Sequence, residues 1–347
     1  MRPIAARLLI PLLVLPLSLS WGQPLMQARI SWPPPPEPPR VSFVGSFSNP
    51  EQLGLEKGGL LRFFRELLFG KEVRELARPY GIAVSRGGNR ICVADPGSKA
   101  VHVFDLRAGS YTLIRSAGGQ ALSSPVGVAL DERGNLYVTD SERAEILVFD
   151  PALRPLFSFG KEQQLQRPTG IAAAGDRLFV ADTAADQVVV FAVNGETARE
   201  LFRFGGRGTG PGLLNYPVDI AVSGKDRVYV NDSMNFRVQI FDGQGRYLKT
   251  LGSPGSSSGH FQRSKGIALD SDGNLYVVDA LADTVQIFDE EARFMLNFGG
   301  PGAGRGEFWL PAGMAIDDAD RVYVVDSSNH RVQTFQYLKS GAKDAAR

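Results

Sequence analysis

One pattern recurs six times along this chain, and it leaves few folds open. Each copy reads proline, any residue, glycine, then a short apolar strand, a turn, a second strand ending in aspartate and a third ending in phenylalanine. The proline is Pro79, Pro125, Pro168, Pro217 and Pro311, with Ser264 in its place in the fifth copy. Two residues later stand Gly81, Gly127, Gly170, Gly266 and Gly313, with Asp219 in the fourth copy. The strand-ending carboxylates are Asp95, Asp140, Asp182, Asp232, Asp279 and Asp326. Each is followed nine residues later by a phenylalanine: Phe104, Phe149, Phe191, Phe241, Phe288 or Phe335. The steps from one aspartate to the next are 45, 42, 50, 47 and 47 residues.

A period in this range, with several strands in each unit, signals propeller blades. The fifth copy shows the strands most clearly: 266–269, a tight Ser271-Asp272-Gly273-Asn274 turn, 275–279, 285–288 and 294–298. A single four-stranded sheet cannot bury both its faces, and radial packing around an axis solves that problem. The expected fold is therefore all-β: a six-bladed β-propeller of four-stranded antiparallel blades. Small residues on the first strand suit the crowded axis. After Phe335 no fourth strand remains, but residues 41–47 at the other end read as one, so the N-terminal strand should complete the last blade. The residues three before each proline position are Leu76, Leu122, Leu165, Leu214, Phe261 and Phe308, which read as plugs between neighbouring blades.

The domain limits follow: 1–22 a signal peptide, 23–39 a Pro-rich linker, 40–338 the propeller and 339–347 a polar tail. Within the propeller, 40–48 is the closing strand, 58–77 a helical insert and 79–337 the repeats. Arg2 and Arg7 flank an apolar run, Leu8 to Leu19, that is short and interrupted by Pro11 and Pro16. Cleavage after Gly22 or after Ala28 would release a secreted or periplasmic protein with no stable membrane span, and an uncleaved N-terminal membrane anchor is the alternative. The lack of a cysteine after the apolar core excludes a lipoprotein. Pro33 to Pro39 suggest an extended spacer without core contacts. In the insert, Leu60, Phe63, Phe64, Leu67 and Leu68 share one helical face, which would dock on the propeller or on a partner.

Lys plus Arg total 38 and Asp plus Glu 37, so no charge field recruits nucleic acid. Cys92 is the single cysteine and has no disulfide partner within the chain. His102, His260 and His330 fall at three different points of the repeat, which supplies no evident metal set, and no cofactor is expected. The aspartate at each strand end reads as a structural acceptor of backbone N–H groups rather than a metal ligand. The glycines from Gly205 to Gly210 are not followed by a helix and read as a loop between blades. The candidate ligand site is the mouth of the channel, because residues flanking the proline position enter the innermost strand. There Arg78, Arg167, Arg263 and Lys265 would form a basic ring with Tyr216 and Tyr80.

The segments Asp326 to Gln333 and Asp232 to Gln239, each Asp-x-x-Asn-x-Arg-Val-Gln, resemble the core of the NHL repeat. The resemblance is to exported, bacterial NHL propellers and covers about residues 79–337. Only the fourth and sixth copies keep Asn-x-Arg; Ala100, Glu145, Gln187 and Thr284 stand at the arginine-segment positions elsewhere. The resemblance implies a monomeric binding scaffold, without enzyme activity, that holds a protein, glycan or anionic ligand outside the cytoplasm. The alternative on the same fold is a metal-dependent lyase or lactonase-type hydrolase.

Overall fold

The computed structural model describes residues 30–55 and 74–339. Six antiparallel sheets surround an axis. Blade 1 is built from Gly81–Val84, Arg90–Asp95, Ala100–Asp105 and Ser110–Ile114. Blade 2 is built from Pro125–Leu130, Leu136–Asp140, Glu145–Phe149 and Pro155–Phe159. Blade 3 comprises Pro168–Ala174, Arg177–Asp182, Gln187–Val193 and Ala198–Gly205, and blade 4 comprises Pro217–Val222, Arg227–Asp232, Arg237–Asp242 and Tyr247–Leu251. Blade 5 follows with Ser264–Leu269, Leu275–Asp279, Thr284–Phe288 and Phe294–Gly299.

Blade 6 holds Met314–Ile316, Arg321–Asp326 and Arg331–Tyr337, and its fourth strand is Val41–Phe47 from the other end of the chain. Phe43 lies opposite Phe335 and Val41 opposite Tyr337. A fifth strand, Ser31–Trp32, pairs with Val41–Ser42. The prolines therefore depart from the spacer expectation. Residues 33–40 form the exposed turn of a hairpin, and Trp32 packs its ring 5.8 Å from both Phe298 and Phe335. A fused indole that covers two core rings is well placed to hold this segment down. The tail begins tethered as well, since Lys339 pairs with Asp272 at 2.9 Å. The signal peptide and most of the 58–77 insert lie outside the described residues; its last four, 74–77, are irregular. No helix among the described residues is long and apolar enough to cross a membrane.

Sequence explains the layering within each blade. Second strands such as Arg90–Asp95 are buried along nearly their whole length, because neighbouring blades cover both faces. Outer strands such as Ser110–Ile114 alternate, with one face to solvent. Six apolar clusters fill the six blade interfaces, and each repeat phenylalanine packs toward the blade before it, at most 1% exposed. The six plug residues are likewise buried.

The inner strands abut one another around the ring, the last against the first. The axial glycines allow that approach. A Cβ on Gly127 would lie 2.0 Å from the Thr169 carbonyl, and one on Gly313 2.4 Å from that of Tyr80. Gly313 N–H donates to the same Tyr80 carbonyl at 2.8 Å, which stitches blade 6 to blade 1.

Candidate functional site at the channel mouth

The loops that lead into the inner strands are held by the six repeat aspartates. In blade 5 the carboxylate of Asp279 accepts Gln262 N–H and Arg263 N–H, both at 2.8 Å. Blades 1, 2 and 3 repeat the arrangement: Asp95 with Ala77 and Arg78, Asp140 with Ser123 and Ser124, Asp182 with Gln166 and Arg167. All six carboxylates are buried. Burial alone would raise the Asp95 carboxyl, yet bonds from His102, Ala77 and Arg78 hold it at about 2. These groups latch the loops; they do not converge on one point.

Blades 4 and 6 use a variant of the latch. Oδ2 of Asp232 is taken by the side chains of Asn235 and Arg237, both at 2.8 Å, and of Gln239 at 3.2 Å. Oδ2 of Asp326 is taken by Asn329, Arg331 and Gln333 in the same way. Arg237 also donates to the carbonyls of Thr209, Gly210 and Leu213, and Asn235 to that of Gly208. The glycine-rich segment is thus a clamped connection between blades.

With the loops fixed, the predicted mouth residues can be placed. Arg167 Nη1 donates to the Tyr216 hydroxyl at 3.0 Å and its guanidinium sits 5.8 Å from the centre of that ring. Lys265 Nζ lies 5.2 Å from the centre of the Tyr80 ring. Burial, reinforced by the charges of Arg263 and Arg78, lowers the Lys265 ammonium to about 8. Burial also raises the Tyr80 hydroxyl to about 12, with Asp219 and Tyr216 adding and Arg263 and Arg167 opposing. Arg78, Arg167, Arg263, Lys265, Tyr216 and Tyr80 therefore share one electrostatic neighbourhood. The three arginines are exposed, and Lys265 and the tyrosines are partly buried.

Behind the mouth the axial cavity is narrow, about 80 Å³, and lined mainly by Gly, Val and Ile. One acid reaches it. Asp219 occupies the position that is glycine in the other five blades, and its Oδ2 accepts Ile267 N–H of the next blade at 2.9 Å. Burial raises its carboxyl to about 7. The repeat pattern places this residue at the axial position without assigning it a role. The signal was present, since an aspartate that replaces an axial glycine has only the channel to point into.

The histidines are scattered. His102 is buried in blade 1 between Tyr111 OH at 2.9 Å and Ser98 Oγ at 3.2 Å. His260 sits in an exposed loop against Ser257, and His330 bonds the Ala77 carbonyl. Among the described residues no three His, Cys, Asp or Glu side chains gather at metal-binding distance. Burial pushes the Cys92 thiol up to about 12, so it is not a poised nucleophile.

The family comparison fits this architecture. The NHL repeat matches residues 122–149 and 308–335, and a family described as a 6-bladed beta-propeller matches residues 213–285. The chain carries NHL repeats. This NHL-repeat propeller is 27% identical over 137 residues to Protein brain tumor of Drosophila melanogaster, a stretch that covers 38% of this chain and 12% of that protein. Virginiamycin B lyase from Staphylococcus aureus superposes with a TM-score of 0.55 at 13% identity, over 76% of this chain and 96% of that one. A Bacteroides thetaiotaomicron protein of unknown function gives a TM-score of 0.60 at 15% identity, over 85% of this chain and 76% of that one. At such identities the two structures share the fold alone.

Proposed function

We propose that this NHL-repeat propeller is an exported, monomeric binding scaffold whose channel mouth holds a protein or ligand through an anionic group. The observation that carries this reading is the pairing of Arg167 with Tyr216 and of Lys265 with Tyr80 around one opening that Arg78 and Arg263 also charge. Like charges gathered this way repel one another, and an anion relieves the repulsion. Arginine grips carboxylate, sulfate or phosphate with two bonds, and the tyrosines offer apolar faces beside them. The basic start and short apolar run support export, which N-terminal sequencing of the mature protein tests.

The decisive experiment replaces Arg167 and Arg263 together by alanine and measures binding of acidic glycans and acidic protein partners at low and high salt. The wild type should bind, more weakly as salt rises, and the double variant should lose both the binding and the salt response. A wild type that binds none of them, or a variant indistinguishable from it, overturns the reading. The alternative, a metal-dependent lyase or hydrolase, draws on the fold shared with virginiamycin B lyase. It would have to work with Asp219 as the acid in the axial cavity, and one tightly held ion per purified chain would favour it.

A further inference from the structure

The face opposite the mouth is shaped by a missing turn. In five blades, four or five residues link the inner strand to the second: 85–89, 131–135, 223–226, 270–274 and 317–320. Blade 3 has only Gly175 and Asp176 between Ala174 and Arg177. The shortened hairpin leaves a notch, and a cavity of about 770 Å³ opens over it with Val84, Leu130, Ala173, Ala174 and Val222 among its lining residues. Two further cavities, about 300 and 440 Å³, continue from it between blades 2 and 3 toward the rim, sharing Arg133 and Asp176. Together they form a radial trough.

The charges along this trough are not balanced. Arg86 pairs with Glu132, Arg90 with Asp105 and Arg177 with Asp226. Arg107, Arg133 and Arg199 also line the trough, and among the described residues their guanidinium groups have no ion pair. Of the lining carboxylates, Asp131 and Asp176 are likewise without an ion pair among the described residues, and Asp131 is held instead by the Asn135 side chain at 2.7 Å and the Tyr137 hydroxyl. The occupant should therefore be elongated, negative toward the rim where Arg133 and Arg199 stand, and apolar at its axial end. The one aromatic residue in the lining, Tyr137, is 4% exposed with its hydroxyl bound to Asp131 at 3.0 Å, so no ring face is offered for a sugar to stack on. The small floor of Ala173, Ala174 and Gly175 suits close approach of a peptide backbone.

We infer that this trough docks an extended acidic segment of a partner polypeptide, with an apolar side chain over the axial floor and carboxylates on Arg133 and Arg199. The site is independent of the channel mouth.

The test uses the full chain and a fluorescein-labelled dodecapeptide of alternating glutamate and alanine, read by anisotropy. Replacing Gly175-Asp176 by the five-residue turn of 131–135 fills the notch. It should weaken binding by about tenfold or more, a loss of ~1.4 kcal/mol, with the melting temperature retained. The Arg133→Glu and Arg199→Glu double variant, confined to the surface, should do the same and carries the test if the filled turn does not fold. The Arg167→Ala and Arg263→Ala mouth variant should bind the peptide as the wild type does, which separates this site from the mouth. No binding by the wild type, or unchanged binding by both trough variants, overturns the proposal. Equal loss in the mouth variant, or polygalacturonate displacing the peptide more effectively than unlabelled peptide, overturns it too.

Discussion

The backbone N–H of Tyr216, at the head of blade 4, donates to Asp186 of blade 3 at 2.7 Å and not to Asp232 of its own blade. Tyr216 has a φ of 60°, and Leu310 in blade 6, with a φ of 49°, does the same to Asp283 of blade 5 at 2.7 Å. These two blades are the ones that keep Asn-x-Arg-Val-Gln. The side chains of that segment occupy Oδ2 of the repeat aspartate and leave Oδ1 for one loop N–H, from Asn215 or Trp309. The second loop N–H turns to the neighbouring blade. A motif that looks internal to one blade thus becomes a tie between two.

Asp186→Ala should accordingly destabilise the protein by ~1–3 kcal/mol, the cost of stranding a buried donor. Asp186→Asn, which keeps an acceptor and tolerates the left-handed backbone at this site, should cost less than half as much. Urea unfolding of the two variants checks the contrast; equal losses would show that charge and not the acceptor matters.

Asp279→Ala strands two donors, Gln262 N–H and Arg263 N–H, and should cost more, ~2–4 kcal/mol. Ligand binding at the mouth, measured well below the melting temperature, should survive. Abolished binding with unchanged stability would make the aspartate a functional residue instead of a latch.

Asp219 gives stability a distinctive pH dependence. Its folded carboxyl is raised to about 7 from an ordinary value of 3.8, so the folded protein holds this proton more tightly than the unfolded chain. Its contribution is fully present below about pH 4 and is lost as pH rises toward 7. Asp219→Asn, which keeps an acceptor for Ile267 N–H, should therefore gain on the wild type by ~4 kcal/mol across that interval. Thermal melts from pH 4 to pH 8 read the difference, and parallel curves would refute the assignment.

Phe335→Ala should be among the most damaging single changes. The ring lies 4.9 Å from Phe298 and 5.7 Å from both Phe43 and Phe308, where strands from both ends of the chain meet. Truncation should cost ~3–5 kcal/mol in denaturant unfolding.

The propeller was legible because its determinants are local and repeated. An aspartate and a phenylalanine nine residues apart fix the second and third strands, and the lack of a strand after Phe335 points to Val41–Phe47. The mouth was legible because the proline sets equivalent positions in each copy, which brought Arg167 to Tyr216 and Lys265 to Tyr80. Other features required three dimensions. Nothing in Trp32 followed by prolines says that the indole will meet Phe298 and Phe335 from the far end of the chain. Swapping of the loop N–H to Asp186 depends on competition for Asp232 that appears only once Arg237 is folded against it. The trough depends on how far a shortened turn at Gly175 lies below its neighbours, a matter of relative height around a ring.

Closure of blade 6 has a kinetic meaning. The first long strand of the described chain, Val41–Phe47, pairs with the last, Arg331–Tyr337, so its hydrogen bonds to that strand cannot form until the chain has been made through Tyr337. Until then blade 6 lacks its sheet and the early strand has an unpaired edge, the kind of surface that recruits strands from other molecules. At high concentration the N-terminal strand of one molecule can close the ring of another, giving exchanged dimers with the same hydrogen bonds as the monomer. Folding at low protein concentration, or a partner that shields the strand while the remaining blades assemble, favours closure within a single chain.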